Sequence, residues 1–310
     1  MIRVCFTTGQ QTVFDDRFRQ CRIAVPGAEI NIRHAGEGPP LLLLHGYPQT
    51  HVMWHRVAPA LTEHFHVVCA DLRGYGDSAR PESGDDHFGY SKRSMAADMV
   101  AVMEALGHRR FAVAGHDRGA RVTHRMILDH PQRVVRACVM DITPTLHMFE
   151  HTDQAFATGY YHWFFLIQGH GLPERLIGAD PEYFLRAKMG HWSAPGADFD
   201  SEAMIEYVRC FSDPASIHAS CEDYRAAAGI DLECDREDRA AGNRITCPLL
   251  VLWGNRGFVH RSYDVLSVWR DYADNVTGRD LDCGHFLPEE QPRSVIDQLI
   301  GFFDGRATGE

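Results

Sequence analysis

The segment Gly115-His116-Asp117-Arg118-Gly119 carries the most informative chemistry of the chain. A small–x–nucleophile–x–small pattern between a strand and a helix is typical of a nucleophile elbow, in which small flanking residues permit a sharp turn. Serine usually stands at its centre, and here the central residue is Asp117. An aspartate at this place could instead cap the following helix, so the pentapeptide alone leaves both interpretations open.

A second carboxylate and a histidine follow in the order that such an elbow requires, which is nucleophile, acid, histidine. His285 comes directly after the last predicted strand. The loop that usually carries the acid, Asn255-Arg256-Gly257-Phe258, has no carboxylate, and the next one along the chain is Asp264. Asp141, directly after the strand that follows the elbow, is the better candidate to orient His285, and Asp264 is the lesser alternative.

The tetrapeptide His45-Gly46-Tyr47-Pro48 follows the first buried strand, where the first crossover loop of such a fold donates a backbone N–H. Together with the N–H of Arg118, this group is predicted to form an oxyanion hole. A plain strand-to-helix turn is the weaker alternative beside an elbow and a late histidine. We therefore place His45 and Tyr47 at the pocket.

An aspartate nucleophile restricts the reaction. Carboxylate attack on an acyl carbon would only form an anhydride, whereas attack on a saturated carbon forms an alkyl ester. With a reference pKa near ~3.9, Asp117 is ionised at neutral pH, and the first step needs no base. His285 then activates water against the ester, while Asp141 stabilises the imidazolium. The chemistry indicated is halide displacement or epoxide opening.

Two arginines follow the predicted nucleophile. Arg118 and Arg121 are three residues apart in the first turn of a helix and face nearly the same way. Cations there oppose the helix dipole, and such a violation of a local rule often marks function. Either arginine could pair with Asp117 itself, or both could be solvated surface charges. The functional interpretation is a fork that binds a substrate carboxylate beside the attacking oxygen, which describes a 2-halo acid.

Eight short apolar runs predict strands, and between them lie helical patterns such as Ser94–Leu106 and Ala120–Asp129. The predicted strands are Arg22–Val25, Glu29–Arg33, Leu41–Leu44, Val67–Ala70, Phe111–Ala114, Val134–Met140, Leu249–Trp253 and Val276–Leu281. The alternation predicts an α/β fold with a mostly parallel sheet flanked by helices, whose working residues follow the carboxyl ends of strands. A strand-free, aromatic-rich stretch predicts a helical cap over 146–243, between core segments 1–145 and 244–310.

Composition excludes several classes of function. Lys+Arg 31 against Asp+Glu 42 gives a net charge of −11, which disfavours nucleic acid and anionic membranes as partners. The longest apolar runs are far shorter than the ~20 residues of a membrane-spanning helix, and no secretory signal is visible. Nine cysteines without a Cys-x-x-Cys pair are typical of reduced thiols, so we expect a cytoplasmic enzyme without metal or cofactor.

The sequence resembles the fluoroacetate (haloacetate) dehalogenases of the α/β-hydrolase superfamily over nearly its whole length. The matching segments are HGYPQTHVMWHRVAP (45–59), DLRGYGDS (71–78), GHDRGARV (115–122), DITPT (141–145), YYHWFF (160–165), CEDYRA (221–226) and CGHFLPEE (283–290). The resemblance implies the α/β-hydrolase fold, the roles given above for Asp117, Asp141, His285, Arg118 and Arg121, and a homodimer.

The resemblance also implies residues that the spacing alone does not. His162, Trp163 and Tyr224 match the halide-binding trio of the family, and Trp192 matches a cap residue that lines the pocket. Fluoride is a poor leaving group and a strong hydrogen-bond acceptor, so several donors must converge on it as charge develops. A hydrophobic stripe that packs on the core is the alternative for the YYHWFF segment.

Two other functions remain open. An epoxide hydrolase shares the aspartate nucleophile, the HG-x-P loop and the late histidine, but it needs two cap tyrosines as acids and no carboxylate fork. Tyr160, Tyr161 and Tyr224 could serve it. A non-catalytic ligand receptor on the same fold is the third possibility, which the intact predicted triad disfavours.

Overall fold

A nine-stranded sheet forms the core of the chain, for which a computed structural model describes residues 3–6 and 13–304. The strands are β1 (Arg3–Phe6), β2 (Arg19–Val25), β3 (Ala28–Ala35), β4 (Pro40–Leu44), β5 (His66–Ala70), β6 (Phe111–His116), β7 (Val134–Met140), β8 (Leu249–Gly254) and β9 (Val276–Leu281). Their spatial order is β1-β2-β3-β5-β4-β6-β7-β8-β9. The pairs β1–β2, β2–β3 and β3–β5 are antiparallel, and every later pair is parallel.

The prediction of a mostly parallel α/β sheet is confirmed, and all eight predicted strands are present. β6 and β8 are buried along their full length, which explains their continuous apolar sequences, because helices cover both faces of a parallel sheet. β2 and β3 extend beyond their predicted ends, since the ladder continues through polar residues such as the pair Arg19 and His34. β1 was not predicted; its backbone pairs along β2 at the edge of the sheet.

The helices that flank the sheet come from the parts of the chain before and after its strand-free middle. The core helices are α1 (Ala58–Leu61), α2 (Lys92–Ala105), α3 (Arg118–Asp129), α12 (Phe258–Ser262), α13 (Val265–Tyr272), α14 (Leu287–Glu290) and α15 (Pro292–Phe303), with 3₁₀-helices at His51–Trp54 and Phe88–Tyr90. α3 begins at Arg118, two residues before its predicted start, because the turn at Asp117 leads directly into the helix. None of the helices in the described part of the chain has the length and hydropathy needed to cross a bilayer.

Eight helices fill the chain between β7 and β8. They are α4 (Thr145–Glu150), α5 (Gln154–Gly159), α6 (His162–Phe165), α7 (Leu172–Gly178), α8 (Pro181–Trp192), α9 (Ser201–Phe211), α10 (Pro214–Ala228) and α11 (Ile230–Ala241). Aromatic residues of this stretch contact the loops at the carboxyl ends of the strands, for example Trp192 with His285 at a ring-centroid distance of 5.4 Å. The division into core segments 1–145 and 244–310 and a cap at 146–243 stays a prediction.

Candidate active site

The turn between β6 and α3 places Asp117 at a sharp corner of the backbone. Asp117 has φ 46° and ψ −112°, a conformation that a non-glycine residue rarely adopts. A Cβ on Gly115 would lie 2.4 Å from the carbonyl oxygen of Gly119, and a Cβ on Gly119 would lie 2.4 Å from that of His45. Both flanking positions therefore require glycine. The Asp117 side chain makes no capping hydrogen bond to α3, so the alternative role as a helix cap is wrong.

The two carboxylate oxygens of Asp117 have different surroundings. Oδ1 accepts a hydrogen bond from the backbone N–H of Tyr47 at 2.9 Å, and Oδ2 lies 3.9 Å from Nε2 of His285. Burial raises the pKa of Asp117. The charges of nearby groups, His285 first among them, lower it by more than burial raises it, so that the pKa lies below its ordinary value. The carboxylate is thus ionised at neutral pH. The second predicted oxyanion donor, the N–H of Arg118, stays a prediction.

His285 and Asp141 meet beside this carboxylate, each in the loop after a strand. Nδ1 of His285 lies 2.6 Å from Oδ2 of Asp141, whose Oδ1 accepts the N–H of Gly254 at 3.0 Å. Burial lowers the pKa of His285, but the hydrogen bond and charge of Asp141 outweigh burial and raise it above its ordinary value. The alternative acid, Asp264, caps α13 by accepting the N–H of Ser267. The geometry therefore favours Asp141 as the acid.

Arg118 is buried and is paired with a carboxylate that sequence reasoning missed. Its Nε donates to Oδ2 of Asp223 at 2.8 Å and its Nη2 donates to Oδ1 at 2.7 Å. Its Cζ lies 4.1 Å from the ring centroid of Tyr224. Nη1 is buried and finds no hydrogen-bond partner within residues 13–304. Arg118 is thus neither solvated nor paired with Asp117, and one N–H₂ group is left for a ligand.

Arg121 is also buried, and neutral groups hold it. Its Nη1 donates to the carbonyl oxygen of Thr143 at 3.1 Å and to Oγ1 of Thr145 at 3.0 Å, while its Cζ lies 4.6 Å from the ring centroid of Trp163. Its Nε is buried without a hydrogen-bond partner among the described residues. The two arginines therefore each retain one free donor, as a carboxylate fork needs.

Further buried donors line the same space. Within the described part of the chain, hydrogen-bond partners are absent for the hydroxyls of Tyr47 and Tyr224, Nδ1 of His162 and Nε1 of Trp192. The rings of Tyr47 and Tyr224 are 5.4 Å apart, those of His162 and Tyr224 5.5 Å, and those of His162 and Trp192 4.6 Å. An unsatisfied buried polar group costs ~1–3 kcal/mol, so such a convergence indicates a ligand site rather than a packed core.

The protonation of His162 follows from its surroundings. Burial lowers its pKa well below the ordinary value, and the positive charges of Lys188 and Arg118 lower it further. The imidazole is therefore neutral at physiological pH and can offer one N–H to an anion. This property suits a group predicted to bind a leaving halide.

The ring of His45 binds backbone groups next to the nucleophile loop. This ring is fully buried, and its Nδ1 donates to the carbonyl oxygen of Gly46 at 3.0 Å while its Nε2 accepts the N–H of Leu72 at 3.0 Å. Its carbonyl oxygen accepts the N–H of Gly119 at 2.9 Å. Both ring nitrogens are thus used by backbone groups, so the side chain helps to position the loop that carries the Tyr47 N–H. A place of His45 in the wall of the pocket stays a prediction.

Asp223 is the functional residue that sequence reasoning missed. Besides Arg118, it accepts hydrogen bonds from the Tyr75 hydroxyl at 2.6 Å and from the ammonium group of Lys92. Burial raises the pKa of Asp223, but Arg118 and Lys92 lower it well below its ordinary value. Its only sequence signal is its place in the CEDYRA segment, directly before Tyr224. None of the described residues forms a group of three histidine, cysteine or carboxylate side chains that could hold a metal ion.

Comparison with known proteins agrees with this geometry. Residues 39–167 match the family model of the alpha/beta hydrolase fold. The chain is 44% identical over 293 residues to a fluoroacetate dehalogenase of Burkholderia sp, covering 94% of this chain and 96% of that protein. The chain belongs to the fluoroacetate dehalogenase family. It is also 36% identical over 284 residues to a soluble epoxide hydrolase of Corynebacterium sp. (strain C12), covering 90% of this chain and 95% of that protein.

A solved structure supports the same membership of the α/β-hydrolase superfamily. The crystal structure of an α/β hydrolase from Nostoc sp PCC 7120 shares 57% sequence identity with this chain and has a TM-score of 0.90. The match covers 92% of this dehalogenase-family chain and 97% of that structure.

The epoxide hydrolase alternative fits the site less well. It needs two tyrosine hydroxyls over the nucleophile, and the buried Tyr224 and Tyr160 are candidates for them. The third predicted candidate, Tyr161, is disfavoured because it is 46% exposed and its ring packs on Lys188, with Nζ 3.4 Å from the ring centroid. The two arginines with free donors have no role in opening an epoxide that lacks a carboxylate. The geometry therefore favours the dehalogenase interpretation.

Proposed function

We propose that this chain is a haloacetate dehalogenase, which hydrolyses the carbon–halogen bond of fluoroacetate, chloroacetate and similar 2-halo acids to the 2-hydroxy acid. The observation that carries the proposal is the state of Asp117. This buried carboxylate has His285 and two buried arginines around it, yet neither guanidinium forms an ion pair with it among the described contacts. An ionised oxygen that neither guanidinium covers, beside free cationic donors, is suited to attack an anionic alkyl halide.

In the first step, the substrate carboxylate binds Nη1 of Arg118 and Nε of Arg121. Oδ2 of Asp117 then attacks the carbon that bears the halogen, the new C–O bond forms, and the halide leaves with the electrons of the broken bond. The halide is received by His162, Trp163 and Tyr224, since the free hydroxyl of Tyr224 and the neutral imidazole of His162 can donate to it. Trp192 contacts His162 and closes the pocket.

In the second step, His285 removes a proton from water, whose oxygen attacks Cγ of the ester. The negative charge develops on Oδ1, where the Tyr47 N–H already donates. Asp141 stabilises the imidazolium, as its 2.6 Å contact with Nδ1 supports. When the bond between Cγ and Oδ2 breaks, the imidazolium returns the proton to the leaving alkoxide. The hydroxy acid leaves with Oδ2, and the water oxygen stays on Asp117. Every step uses side chains of this chain, so we propose no cofactor or metal.

Halide release tests the substrate class. We expect the purified protein to release fluoride from fluoroacetate and chloride from chloroacetate, each with one equivalent of glycolate, as measured with ion-selective electrodes and chromatography. A simple epoxide should remain intact in parallel samples. The variant Asp117→Asn, which keeps the size of the side chain but removes the anionic nucleophile, should lower halide release to background. Epoxide hydrolysis without halide release would support the alternative enzyme and refute the dehalogenase.

The carboxylate fork is tested best at Arg121, because no carboxylate of the protein loses its partner when Arg121 is replaced. Arg121→Gln should raise KM for chloroacetate by about 10- to 100-fold, since a hydrogen bond to a charged group contributes ~1.5–3 kcal/mol. KM for the uncharged chloroacetamide should change little. The exposed Arg186, which pairs with Glu182, gives the control Arg186→Gln. Equal effects on the acid and the amide, or an unchanged KM for the acid, would remove Arg121 from the fork.

We propose further that the protein is a homodimer that works in the cytoplasm. The family resemblance supports a dimer, and so do large apolar side chains exposed on α7, α8 and α9, at 47% for Leu172, 57% for Leu176, 71% for Tyr183 and 65% for Ile205. Seven cysteines of the described residues are buried or partly buried and form no disulfide with one another, which supports a reducing compartment: Cys69, Cys138, Cys210, Cys221, Cys234, Cys247 and Cys283.

Light scattering after size exclusion should give about twice the 35.0 kDa chain mass, and Ile205→Asp should shift the mass towards the monomer. A single monomeric peak for the unchanged protein at micromolar concentration would refute the dimer.

The compartment is tested by thiol titration of protein from a cytosolic fraction, which should find the cysteines reduced. Cysteines found in disulfides would contradict the cytoplasmic location.

A further inference from the structure

The loop that carries His285 rests directly on the end of α8. The N–H of His285 donates to the carbonyl oxygen of Trp192 at 2.9 Å. A Cβ on Gly284 would lie 2.4 Å from the backbone nitrogen of Ala194 and 2.5 Å from the Trp192 carbonyl oxygen, so the two backbones touch. The main chain of the predicted general base is thus placed by a segment about ninety residues away, which also carries the pocket residue Trp192.

One carboxylate joins these two segments. Oε2 of Glu290 accepts the N–H of Gly284 at 2.8 Å and the N–H of Ala194 at 2.9 Å. Oε1 of the same side chain accepts the N–H of Phe286 at 2.9 Å. Glu290 therefore binds the backbone on both sides of His285 and, with the same carboxylate, the segment on which that backbone rests.

These contacts exceed what a local helix cap requires. The bond to Phe286 resembles the backward contact of a capping box at the start of α14, but the bond to Ala194 spans 96 residues. Across residues 13–304, Glu290 forms no ion pair with a lysine, arginine or histidine. Its charge is used on three backbone donors, and hydrogen bonds to a charged acceptor are stronger than those to a neutral one.

The hydrogen bond that His285 donates to Asp141 fixes only one end of the histidine ring. It orients Nδ1, but the direction of Nε2 also depends on where the backbone of His285 lies, because the ring turns about its bonds to that backbone. Nε2 must face the attacking water beside Cγ of Asp117, and its distance of 3.9 Å from Oδ2 leaves it close to that place. A shift of the loop by a fraction of an ångström would misdirect the base without disturbing the nucleophile.

We propose that Glu290 is a positioning residue for ester hydrolysis, which holds the His285 loop on the end of α8 through three backbone hydrogen bonds. The inference rests on the proposed two-step function. Alkylation of Asp117 needs no base, whereas hydrolysis of the ester needs His285 in place. Glu290 should therefore affect the second step and leave the first largely unchanged, which a side chain that only stabilises the fold would not do.

The test is Glu290→Gln, in which the amide replaces one of the two accepting oxygens and the charge is lost. With bromoacetate, kcat should fall about 10- to 100-fold, as expected for a misplaced catalytic group. Rapid mixing should still show a fast burst of bromide equal to the number of active sites, and intact-protein mass spectrometry during turnover should show the carboxymethyl ester on Asp117. Glu290→Asp, which keeps the charge on a shorter side chain, should be intermediate and serves if Glu290→Gln fails to fold.

Two reference variants separate the possible outcomes. His285→Gln should trap the ester completely, and Glu182→Gln, the same change at an exposed site of α8, should behave like the unchanged protein. If the unchanged protein releases no halide, or His285→Gln traps nothing, the proposed function fails. Glu290 has no specific role in hydrolysis if both references behave as expected but the Glu290 variant keeps its kcat. The same conclusion follows if the variant loses both turnover and the bromide burst and forms no ester on Asp117.

Discussion

The ion pair between Arg118 and Asp223 is the interaction on which the site depends. A guanidinium directly after a buried carboxylate nucleophile would normally pair with it and suppress its reactivity. Here Asp223 binds two nitrogens of Arg118 and is itself held by Tyr75 and by the ammonium group of Lys92. Arg118 is therefore fixed with a single nitrogen directed elsewhere. Its positive charge lowers the pKa of Asp117 without covering the attacking oxygen.

Close backbone approaches provide the rest of the geometry. Gly115 and Gly119 allow β6 to turn into α3 against the loop of Tyr47, and Gly284 allows the His285 loop to lie against Ala194. In each case a side chain would collide with a neighbouring backbone atom. The nucleophile, its oxyanion donor and its base are thus brought together by main-chain contacts between segments distant in sequence. The side chains of the nucleophile and the base are then already close to each other, so the site is pre-organised for the reaction.

The sequence predicts those parts of the site that follow strand ends. Asp117, Asp141 and His285 each come directly after an apolar run, and the parallel sheet brings such positions to one edge, so their meeting could be expected. The contacts of Asp223 and Glu290 could not, because each depends on how α10 and α8 pack against the core. The contacts of the His45 ring with the backbone of Leu72 and Gly46 could not be expected either, because they depend on how two loops meet at the strand ends. Strand β1 was missed because backbone pairing at a sheet edge leaves little periodicity to detect.

The fate of one oxygen atom tests the central claim, that Asp117 attacks carbon and forms an ester. In a single turnover with excess enzyme in heavy-oxygen water, the account predicts that the label enters the Asp117 side chain, detected by mass spectrometry of the peptide that contains it. The glycolate released in that turnover should carry no label from the solvent in its hydroxyl group. Heavy oxygen found first in glycolate, with an unlabelled Asp117, would mean that water attacks the substrate directly and would contradict the account.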